Sequence, residues 1–329
     1  MPVFVTGATG FLGGRLVQVL SARGEEVIVL ARRNADVSHL SGTSIRIVRG
    51  DLSDQEFLRS SMQDASRIYH CAACSTDWAK LETYRQANVV GTQNLLLAAR
   101  YATHLERFVH VSTCDVYGYP RIPCDESHSM KDVGLPYNST KCQAESAVWQ
   151  AHKESDLPIA ILRPTTIYGP RGKAFTVDIA ELLRDGWMAY INSGKAPGGF
   201  AYVDNVVDAI LLAGDSPQAL GQAFNISDGT GATWADYATQ FAAALGHRPP
   251  RINLPFKIAM GVARVMETPY AYTGLKGRPL LTRHAVYLLG VDQEFPIEKA
   301  KRLLGFAPKV GLSEGIERSV EWLKSREKR

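Results

Sequence analysis

Residues 3–13 read Val3-Phe4-Val5-Thr6-Gly7-Ala8-Thr9-Gly10-Phe11-Leu12-Gly13, and apolar residues at helical spacing follow as far as Leu20. A β-branched run, a glycine turn and a helix in this order form a phosphate-binding unit. Glycines let the backbone approach a pyrophosphate, and the helix N-terminus stabilises its charge. The alternative is an ordinary strand-to-helix loop in which the glycines serve packing. The residues expected to contact a dinucleotide here are Gly7, Thr9, Gly10, Phe11, Leu12 and Gly13.

Composition narrows the class of protein. The 329 residues are 45% hydrophobic and 21% charged, as in ordinary globular proteins. The net charge of +4 comes from mostly scattered basic residues, so a small-molecule substrate is expected and no nucleic acid. No apolar run reaches about 18 residues, so no membrane span is predicted.

Five cysteines without a disulfide framework favour a reducing environment and predict a cytoplasmic protein. Cys71 and Cys74 have C-x-x-C spacing, but no second such pair is present to complete a zinc site. No metal is therefore predicted.

Apolar runs alternate with helical patterns along the first half of the chain. Strands are predicted at 27–30, 45–48, 68–70, 108–111 and 159–162, and helices at 54–62, 81–101 and 137–155. This alternation predicts an α/β fold built on a doubly wound parallel (Rossmann) sheet.

The second half is less regular. Helices are predicted at 175–185, 203–214, 234–245, 297–304 and 313–324, and a strand at 223–226, whereas the Pro- and Gly-rich stretch 249–279 is left unassigned. We expect residues 1–165 to form the dinucleotide-binding domain. Residues 166–329 would form mostly a smaller, mixed substrate lobe, with segments at about 200–227 returning to the first domain. Ligands of open α/β sheets bind at the C-terminal edge of the strands, which this lobe would cover.

The end of the second strand bears on the choice of dinucleotide. An acid at this place holds the adenosine ribose of NAD, whereas an Arg accommodates the 2′-phosphate of NADP. The sequence has Ala31 in place of the acid, followed by Arg32 and Arg33, whose guanidinium groups suit a phosphate. The sequence therefore favours NADP(H) as the cofactor, with NAD(H) as the alternative. If no ligand binds here, Arg32 and Arg33 belong to a basic loop exposed to solvent.

Further cofactor contacts are predicted at two other strand ends. Asp51 could accept a hydrogen bond from the adenine amino group with Leu52 against the ring, or could instead cap the helix that follows. Small residues after the fourth strand, which leave room for a flat cofactor, are Cys71, Ala72 and Ala73.

Tyr137 and Lys141 lie four residues apart and share one helix face. A phenol has a pKa of about 10, which a nearby ammonium group lowers, so Lys141 could tune Tyr137 for proton transfer and also reach ribose hydroxyls. Ser112 and Thr113 would add hydroxyl groups at the end of the fifth strand. A Y-x-x-x-K pair alone is a weak signal for an active site. The signal becomes stronger here because the glycine loop and the strand-end hydroxyls precede the pair in that order along the chain.

The chain resembles the extended short-chain dehydrogenase/reductases over nearly its full length. The matching motifs, in order, are Thr6-Gly7-x-x-Gly10-x-x-Gly13, His70-x-Ala72-Ala73, Asn88-Val89-x-Gly91-Thr92, Ser112-Thr113-x-x-Val116-Tyr117-Gly118, Tyr137-x-x-x-Lys141 and Arg163-Pro164-x-x-Ile167-Tyr168-Gly169-Pro170. The resemblance implies that Tyr137 is the general acid/base, Lys141 its partner, Thr113 the substrate-polarising hydroxyl and Asn88 a supporting residue. It also implies that the nicotinamide is flanked by Pro164, Thr165, Thr166 and Ile167.

Two departures separate the chain from the sugar-nucleotide enzymes that it resembles. These enzymes often have an Arg where the sequence has Gly198 and Gly199, and the dehydratases have an Asp-Glu pair where it has Cys114 and Asp115. The C-terminal third contains Gly277-Arg278-Pro279-Leu280-Leu281-Thr282 and Glu298-Lys299-Ala300-Lys301-x-Leu303-Leu304-Gly305-Phe306-x-Pro308. In these parts it resembles the 3β-hydroxysteroid dehydrogenase and sterol or 3-oxoalkanoate reductase branch. The apolar stretch 256–266 could line a substrate cleft or could serve core packing.

The sequence therefore predicts an NADP-dependent oxidoreductase, either a ketone or aldehyde reductase or a hydroxysteroid or 3-oxoacyl dehydrogenase. Its expected substrate contacts are Ser75, Thr113 and Tyr168. One alternative is a nucleotide-sugar epimerase or dehydratase with tightly bound NAD. Another is a non-catalytic NADP-sensing protein, which would typically have lost Tyr137 or Lys141. A homodimer is expected, with helices 81–101 and 137–155 as its face.

Overall fold

The β-branched runs of the chain form the strands of one large and two small sheets. The computed structural model describes residues 1–40, 44–120, 122–273, 275 and 277–327. The strands of these residues are β1 Val3–Thr6, β2 Val27–Ala31, β3 Ile45–Arg49, β4 Arg67–His70, β5 Arg107–Val111, β6 Ile159–Pro164, β7 Thr166–Tyr168, β8 Ala189–Ile191, β9 Phe200–Tyr202, β10 Gln222–Ile226 and β11 Ile252–Leu254.

The helices connect these strands and cover the large sheet on both faces. They are α1 Phe11–Ala22, α2 Gln55–Met62, α3 Leu81–Tyr84, α4 Gly91–Ala99, α5 Pro136–Ser155, α6 Asp178–Arg184, α7 Val203–Asp215, α8 Trp234–Leu245, α9 Phe256–Thr273, α10 Arg283–Gly290, α11 Glu298–Leu304 and α12 Leu312–Glu327. No helix of the described residues is long and apolar enough to span a membrane.

The large sheet has seven parallel strands in the order β10-β6-β5-β4-β1-β2-β3. The predicted doubly wound parallel sheet is confirmed. The strand order reverses between β1 and β4, so the loops that follow these strands diverge and leave a crevice at the carboxyl edge. The two small sheets, β7-β9 and β8-β11, lie in the C-terminal half.

Apolar residues on both faces of the large sheet build the core. Leu16 and Leu20 of α1 pack with Ile210 of α7 on one face, and Leu95 of α4 packs with Val148 of α5 on the other. β10 belongs to the large sheet, and α7 contributes to the core on one of its faces. The return of residues near 200–227 to the first domain stays a prediction. The division of the chain near residue 165 stays a prediction.

Three segments differ from what the sequence predicts. The expected helix 81–101 is interrupted by a π-helical segment, Arg85–Val90, between α3 and α4. The unassigned stretch 249–279 contains β11 and α9, which includes Pro269 in its interior. Helix α10 was not predicted. Its eight residues make about two turns and follow a Pro- and Gly-rich segment, so its apolar period is too short to recognise.

The apolar stretch 256–266 serves packing. Its buried residues Ala259, Met260 and Ala263 contact Ile191 of β8 and Val286 of α10. None of the described residues 256–266 lines the large cleft described below. The core alternative for this stretch is therefore supported.

A buried ion pair joins α5 to β6 beneath the cleft. The Arg163 guanidinium contacts the Glu145 carboxylate at 2.5 Å, and both side chains are at most 5% exposed. Ser112 Oγ donates to the same carboxylate at 2.6 Å, and Arg163 also donates to the Tyr117 hydroxyl at 2.7 Å. These bonds satisfy both charged groups, so removal of one partner leaves a buried charge unpaired.

We expect Arg163→Met to lower the free energy of unfolding by about 3–5 kcal/mol, because the Glu145 carboxylate then stays buried without its cation. The Glu145→Leu/Arg163→Met double variant should recover much of that loss, since it removes both charges. Urea unfolding followed by circular dichroism measures both effects. As a control, Arg184→Ala removes a pair whose side chains are more than half exposed and should change stability by less than about 1 kcal/mol. Equal losses in Arg163→Met and Arg184→Ala would contradict the prediction.

Candidate active site

A cleft of about 1260 Å³ opens at the carboxyl edge of the large sheet. It is lined by the loops after β1, β2, β3, β4, β5 and β6 and by parts of the C-terminal half. The predicted residues that line it are Gly7, Thr9, Gly10, Phe11, Leu12, Gly13, Arg32, Asp51, Leu52, Cys71, Ala72, Ala73, Ser75, Ser112, Thr113, Tyr137, Lys141, Pro164, Thr165, Thr166 and Ile167. The cleft lining does not include Arg33, Asn88 or Tyr168.

The glycine loop leaves the start of α1 open toward the cleft. Gly7 has φ of +73°, and a Cβ atom there would lie 2.6 Å from the Ala72 backbone nitrogen. A Cβ on Gly13 would collide with the Gly7 carbonyl oxygen. Gly10 is the N-cap of α1 and supplies no side-chain cap to its N–H groups. The loop therefore presents uncapped helix N–H groups without side chains in front of them, which fits a pyrophosphate.

Basic side chains gather where β2 and β3 end. Arg32 and Arg33 are both exposed, and Arg32 lines the cleft. Arg49, at the end of β3, donates to the backbone carbonyls of Arg32 at 3.1 Å, Arg33 at 3.3 Å and Ala35 at 2.8 Å. No sequence motif points to Arg49, although strand spacing alone places it opposite Ala31 in the parallel ladder. The side chain fixes the loop that carries the two predicted phosphate ligands.

Asp51 lines the cleft and does not cap helix α2. Its Oδ1 accepts from the backbone N–H of Ser53 at 3.0 Å. The N-cap of α2 is Asp54, which accepts from the Phe57 N–H at 3.0 Å. The alternative role proposed for Asp51 as a helix cap is therefore wrong.

Asn88 supports the cleft from behind. Its Oδ1 accepts from the Cys74 N–H at 2.7 Å, and its Nδ2 donates to the Cys74 carbonyl at 3.2 Å and to Thr140 Oγ1 at 3.1 Å. The amide thus ties the loop after β4 to α5. Asn88 lies in the π-helical segment, whose wider turn changes the direction of side chains relative to an α-helix.

Tyr137 and Lys141 project from the first two turns of α5 into the cleft. Burial, and then the nearby Asp115 carboxylate, raise the pKa of the Tyr137 phenol well above its usual value, against a lowering by its hydrogen bond with Thr113. Burial lowers the pKa of Lys141 to about 8, and its ammonium donates to the Val111 carbonyl at 2.8 Å. The expectation that Lys141 lowers the pKa of Tyr137 is not met, because burial dominates and the ammonium is directed at β5.

Asp115 joins this site to the C-terminal half. Its Oδ2 lies 2.9 Å from His284 Nε2 and accepts a hydrogen bond from the Tyr119 hydroxyl at 3.0 Å. The His284 ring stacks on the ring of Tyr137, with centroids 5.4 Å apart and planes at 28°. His284 was not predicted as a site residue, because nothing in the sequence indicates that α10 contacts α5.

Tyr168 is wrongly predicted as a substrate contact. Its side chain is fully buried among aromatic rings of the C-terminal half, with edge contacts to Phe200, Tyr202 and Tyr237. β7 pairs with β9 at this position, so the tyrosine faces a core rather than the cleft.

The mouth of the cleft carries a bridge of charged side chains. Arg278 donates to Asp77 at 3.0 Å and to Asp178 at 2.9 Å, and the Thr282 hydroxyl also donates to Asp77 at 3.1 Å. The loop after β4, helix α6 and the segment before α10 are thereby held together.

The thiols of the cleft are not activated. Burial raises the pKa of Cys71 to about 12, and burial also raises the pKa of Cys74. Within the described ranges, no group of three or more His, Cys, Asp or Glu side chains could hold a metal ion.

Comparisons with known proteins agree with this geometry. A profile of the NAD dependent epimerase/dehydratase family matches residues 3–227. The chain is 31% identical to a 2-alkyl-3-oxoalkanoate reductase of Stenotrophomonas maltophilia, over 97% of this chain and 98% of that protein. It is 29% identical to a decarboxylating sterol-4-alpha-carboxylate 3-dehydrogenase of Schizosaccharomyces pombe, over 99% of this chain and 98% of that protein.

A solved structure has the same architecture. The UDP-glucuronic acid 4-epimerase of Bacillus cereus in complex with NAD superposes with a TM-score of 0.79 and 25% identity, over 99% of both chains. The glycine loop and the small residues after β4 fit the nicotinamide dinucleotide that this family uses. The motif order, the seven-stranded sheet and the family match together show that the chain belongs to the NAD dependent epimerase/dehydratase family of extended short-chain dehydrogenase/reductases.

Proposed function

We propose that the protein is an NADP-dependent oxidoreductase that interconverts a ketone and the corresponding secondary alcohol. The observation that carries this proposal is the Tyr137 phenol beside the Thr113 hydroxyl in the same cleft as the uncapped N-terminus of α1. Burial raises the pKa of this phenol well above its usual value, which favours its neutral form. A neutral phenol is the form that donates a proton, as the reduction of a carbonyl requires.

The preference for NADP(H) is supported by the ends of β2 and β3. Ala31 leaves no carboxylate to accept from a ribose hydroxyl, and Arg32 lines the cleft close to the Arg49 guanidinium that fixes its backbone. An additional phosphate on the ribose would be stabilised by these positive charges, whereas a free 2′-hydroxyl would find no acid.

The chain supplies the proton and the hydrogen bonds of the reaction. When bound, the dinucleotide supplies hydride chemistry at its nicotinamide ring. Tyr137 donates its proton to the substrate oxygen in the reductive direction. Thr113 Oγ1 accepts from the Asp115 N–H at 3.2 Å, which leaves its own hydroxyl hydrogen to stabilise the same oxygen. Lys141 would hold ribose hydroxyls, and residues 164–167 would flank the nicotinamide.

The substrate class that we propose is a 3-oxo carboxylate or the matching 3-hydroxy carboxylate. The names of both relatives describe a substrate that reacts at position 3 and has a carboxylate on the carbon next to position 3. Ser75, Asp77 and Leu288 line the same cleft as Tyr137 and offer both polar and apolar contacts to such a molecule.

A nucleotide-sugar epimerase or dehydratase with tightly bound NAD is the second candidate, because the solved structural relative is such an epimerase. Gly199 argues against it. Gly199 has φ of +55°, and any side chain there would collide with the Gln293 carbonyl oxygen, so the diphosphate-binding Arg of those enzymes has no room. A preparation that retains NAD and reacts without added cofactor would favour this candidate. A sensing role stays third, since Tyr137 and Lys141 are both present.

We also propose a cytoplasmic homodimer. Leu97 and Tyr101, at the end of α4 and just beyond it, are 43% and 56% exposed and belong to the helix pair expected to form the dimer face.

We expect Arg32→Ala to weaken NADPH binding about 10- to 100-fold, because a charge-assisted hydrogen bond contributes roughly 1.5–3 kcal/mol. NADH binding should stay unchanged, since NADH has no 2′-phosphate. Titration of cofactor fluorescence measures both affinities. Arg46→Ala, which removes an exposed Arg on β3 outside the cleft lining, is the matched control. An unchanged NADPH affinity in Arg32→Ala would refute the cofactor assignment.

We expect Tyr137→Phe to lower the rate of NADPH-dependent ketone reduction by at least about 100-fold, because the proton donor is lost. NADPH affinity should stay close to that of the wild type. Stopped-flow absorbance and fluorescence titration measure the two quantities. Tyr272→Phe, at a tyrosine that is 86% exposed, should leave both unchanged. Near-normal turnover in Tyr137→Phe would exclude the proposed mechanism.

A further inference from the structure

His284 is a buried imidazole in the cleft that is held at one of its two nitrogens. It is 7% exposed and lines the cleft from α10. Asp115 Oδ2 lies 2.9 Å from its Nε2, and its ring is stacked on Tyr137. The imidazole is thus fixed in position beside the proton donor by a carboxylate from the opposite half of the molecule.

The second nitrogen of His284 has no hydrogen-bond partner among the described residues. A carboxylate oxygen only accepts, so the bond to Asp115 places the hydrogen of Nε2 toward that residue. Nδ1 is then left for another group. A buried polar atom without a partner is costly, and native structures normally pair it. The missing partner is therefore expected to be a ligand of the cleft.

The neighbouring residue on the same helix face indicates what kind of ligand this is. Leu288 lies four residues after His284 and also lines the cleft. Helix α10 thus presents a polar ring and an apolar side chain together. A molecule with a carboxylate on an alkyl chain or ring likewise has one polar and one apolar part. An imidazole that carries hydrogens on both nitrogens can donate to Asp115 and to such a carboxylate at once.

We propose that His284 Nδ1 binds the carboxylate of a 3-oxo or 3-hydroxy acid whose oxygen at position 3 faces Tyr137. This assignment rests on the oxidoreductase function proposed above. The carboxylate of these acids is two bonds from the reacting carbon, and the stacking of His284 on Tyr137 places the two recognition groups side by side. His284 is therefore a specificity-determining residue, and Asp115 positions it.

The test compares two alcohols that differ only in the carboxylate, 3-hydroxyoctanoate and 2-heptanol, as substrates with NADP⁺. We expect His284→Phe to lower kcat/KM for 3-hydroxyoctanoate at least about tenfold, mainly through KM, because one charge-assisted hydrogen bond is lost. Because 2-heptanol has no carboxylate, its kcat/KM should fall much less, so the ratio of kcat/KM for the acid to that for 2-heptanol should drop at least about tenfold. An unchanged preference for the acid in His284→Phe would overturn the proposal.

A matched control substitutes another histidine that also contacts an Asp. His128 is exposed, lies 3.0 Å from Asp125, and is outside the cleft lining. His128→Phe should keep the preference for the acid at the wild-type value. A preference lost equally in His128→Phe and His284→Phe would overturn the proposal, because the effect would then not depend on the cleft.

A binding measurement separates this inference from the proposed function. If the wild type oxidises neither alcohol, the oxidoreductase proposal fails. Calorimetric titration of 3-hydroxyoctanoate into the NADP⁺-loaded protein then tests His284 alone. Binding by the wild type that is at least about tenfold weaker in His284→Phe supports the carboxylate site. Equal affinities, or no binding to the wild type, contradict it.

Discussion

The close contact between the glycine loop and the end of β4 is the constraint on which the site depends. Gly7 approaches Ala72, and Gly13 approaches Gly7, so closely that no side chain fits at either glycine. This contact brings β1 and β4 together where the strand order reverses, and it turns the first N–H groups of α1 toward the crevice. This backbone packing therefore determines where a dinucleotide can bind. It also determines where the catalytic side chains must lie to reach the nicotinamide ring.

Much of the fold could be predicted from the sequence because its signals are local. The β-branched runs of β1 to β6 and the glycine turn after β1 need only neighbouring residues to be recognised. Tyr137 and Lys141 were found for the same reason, since their spacing places them on one helix face. The electrostatic state of Tyr137 was not predicted, because burial by residues distant in the sequence outweighs the single ammonium four positions away.

The remaining parts depend on contacts between distant segments. His284 reaches Asp115 across 169 residues, and nothing in the Pro- and Gly-rich region before α10 predicts this approach. Ile167 and Tyr168 belong to the same motif, and Ile167 lines the cleft. Because side chains alternate between the two faces of a strand, Tyr168 lies instead in the aromatic core of the C-terminal half. Arg49 was not predicted because it donates to backbone carbonyls, and no sequence pattern indicates such hydrogen bonds.

The bridge at the mouth of the cleft makes this edge of the site sensitive to salt. Arg278 is 40% exposed, so dissolved ions weaken its attraction to Asp77 and Asp178. A rise in ionic strength should therefore loosen the contact among these three segments. The buried groups deeper in the cleft are screened much less, so salt should affect the edge of the cleft before it affects them.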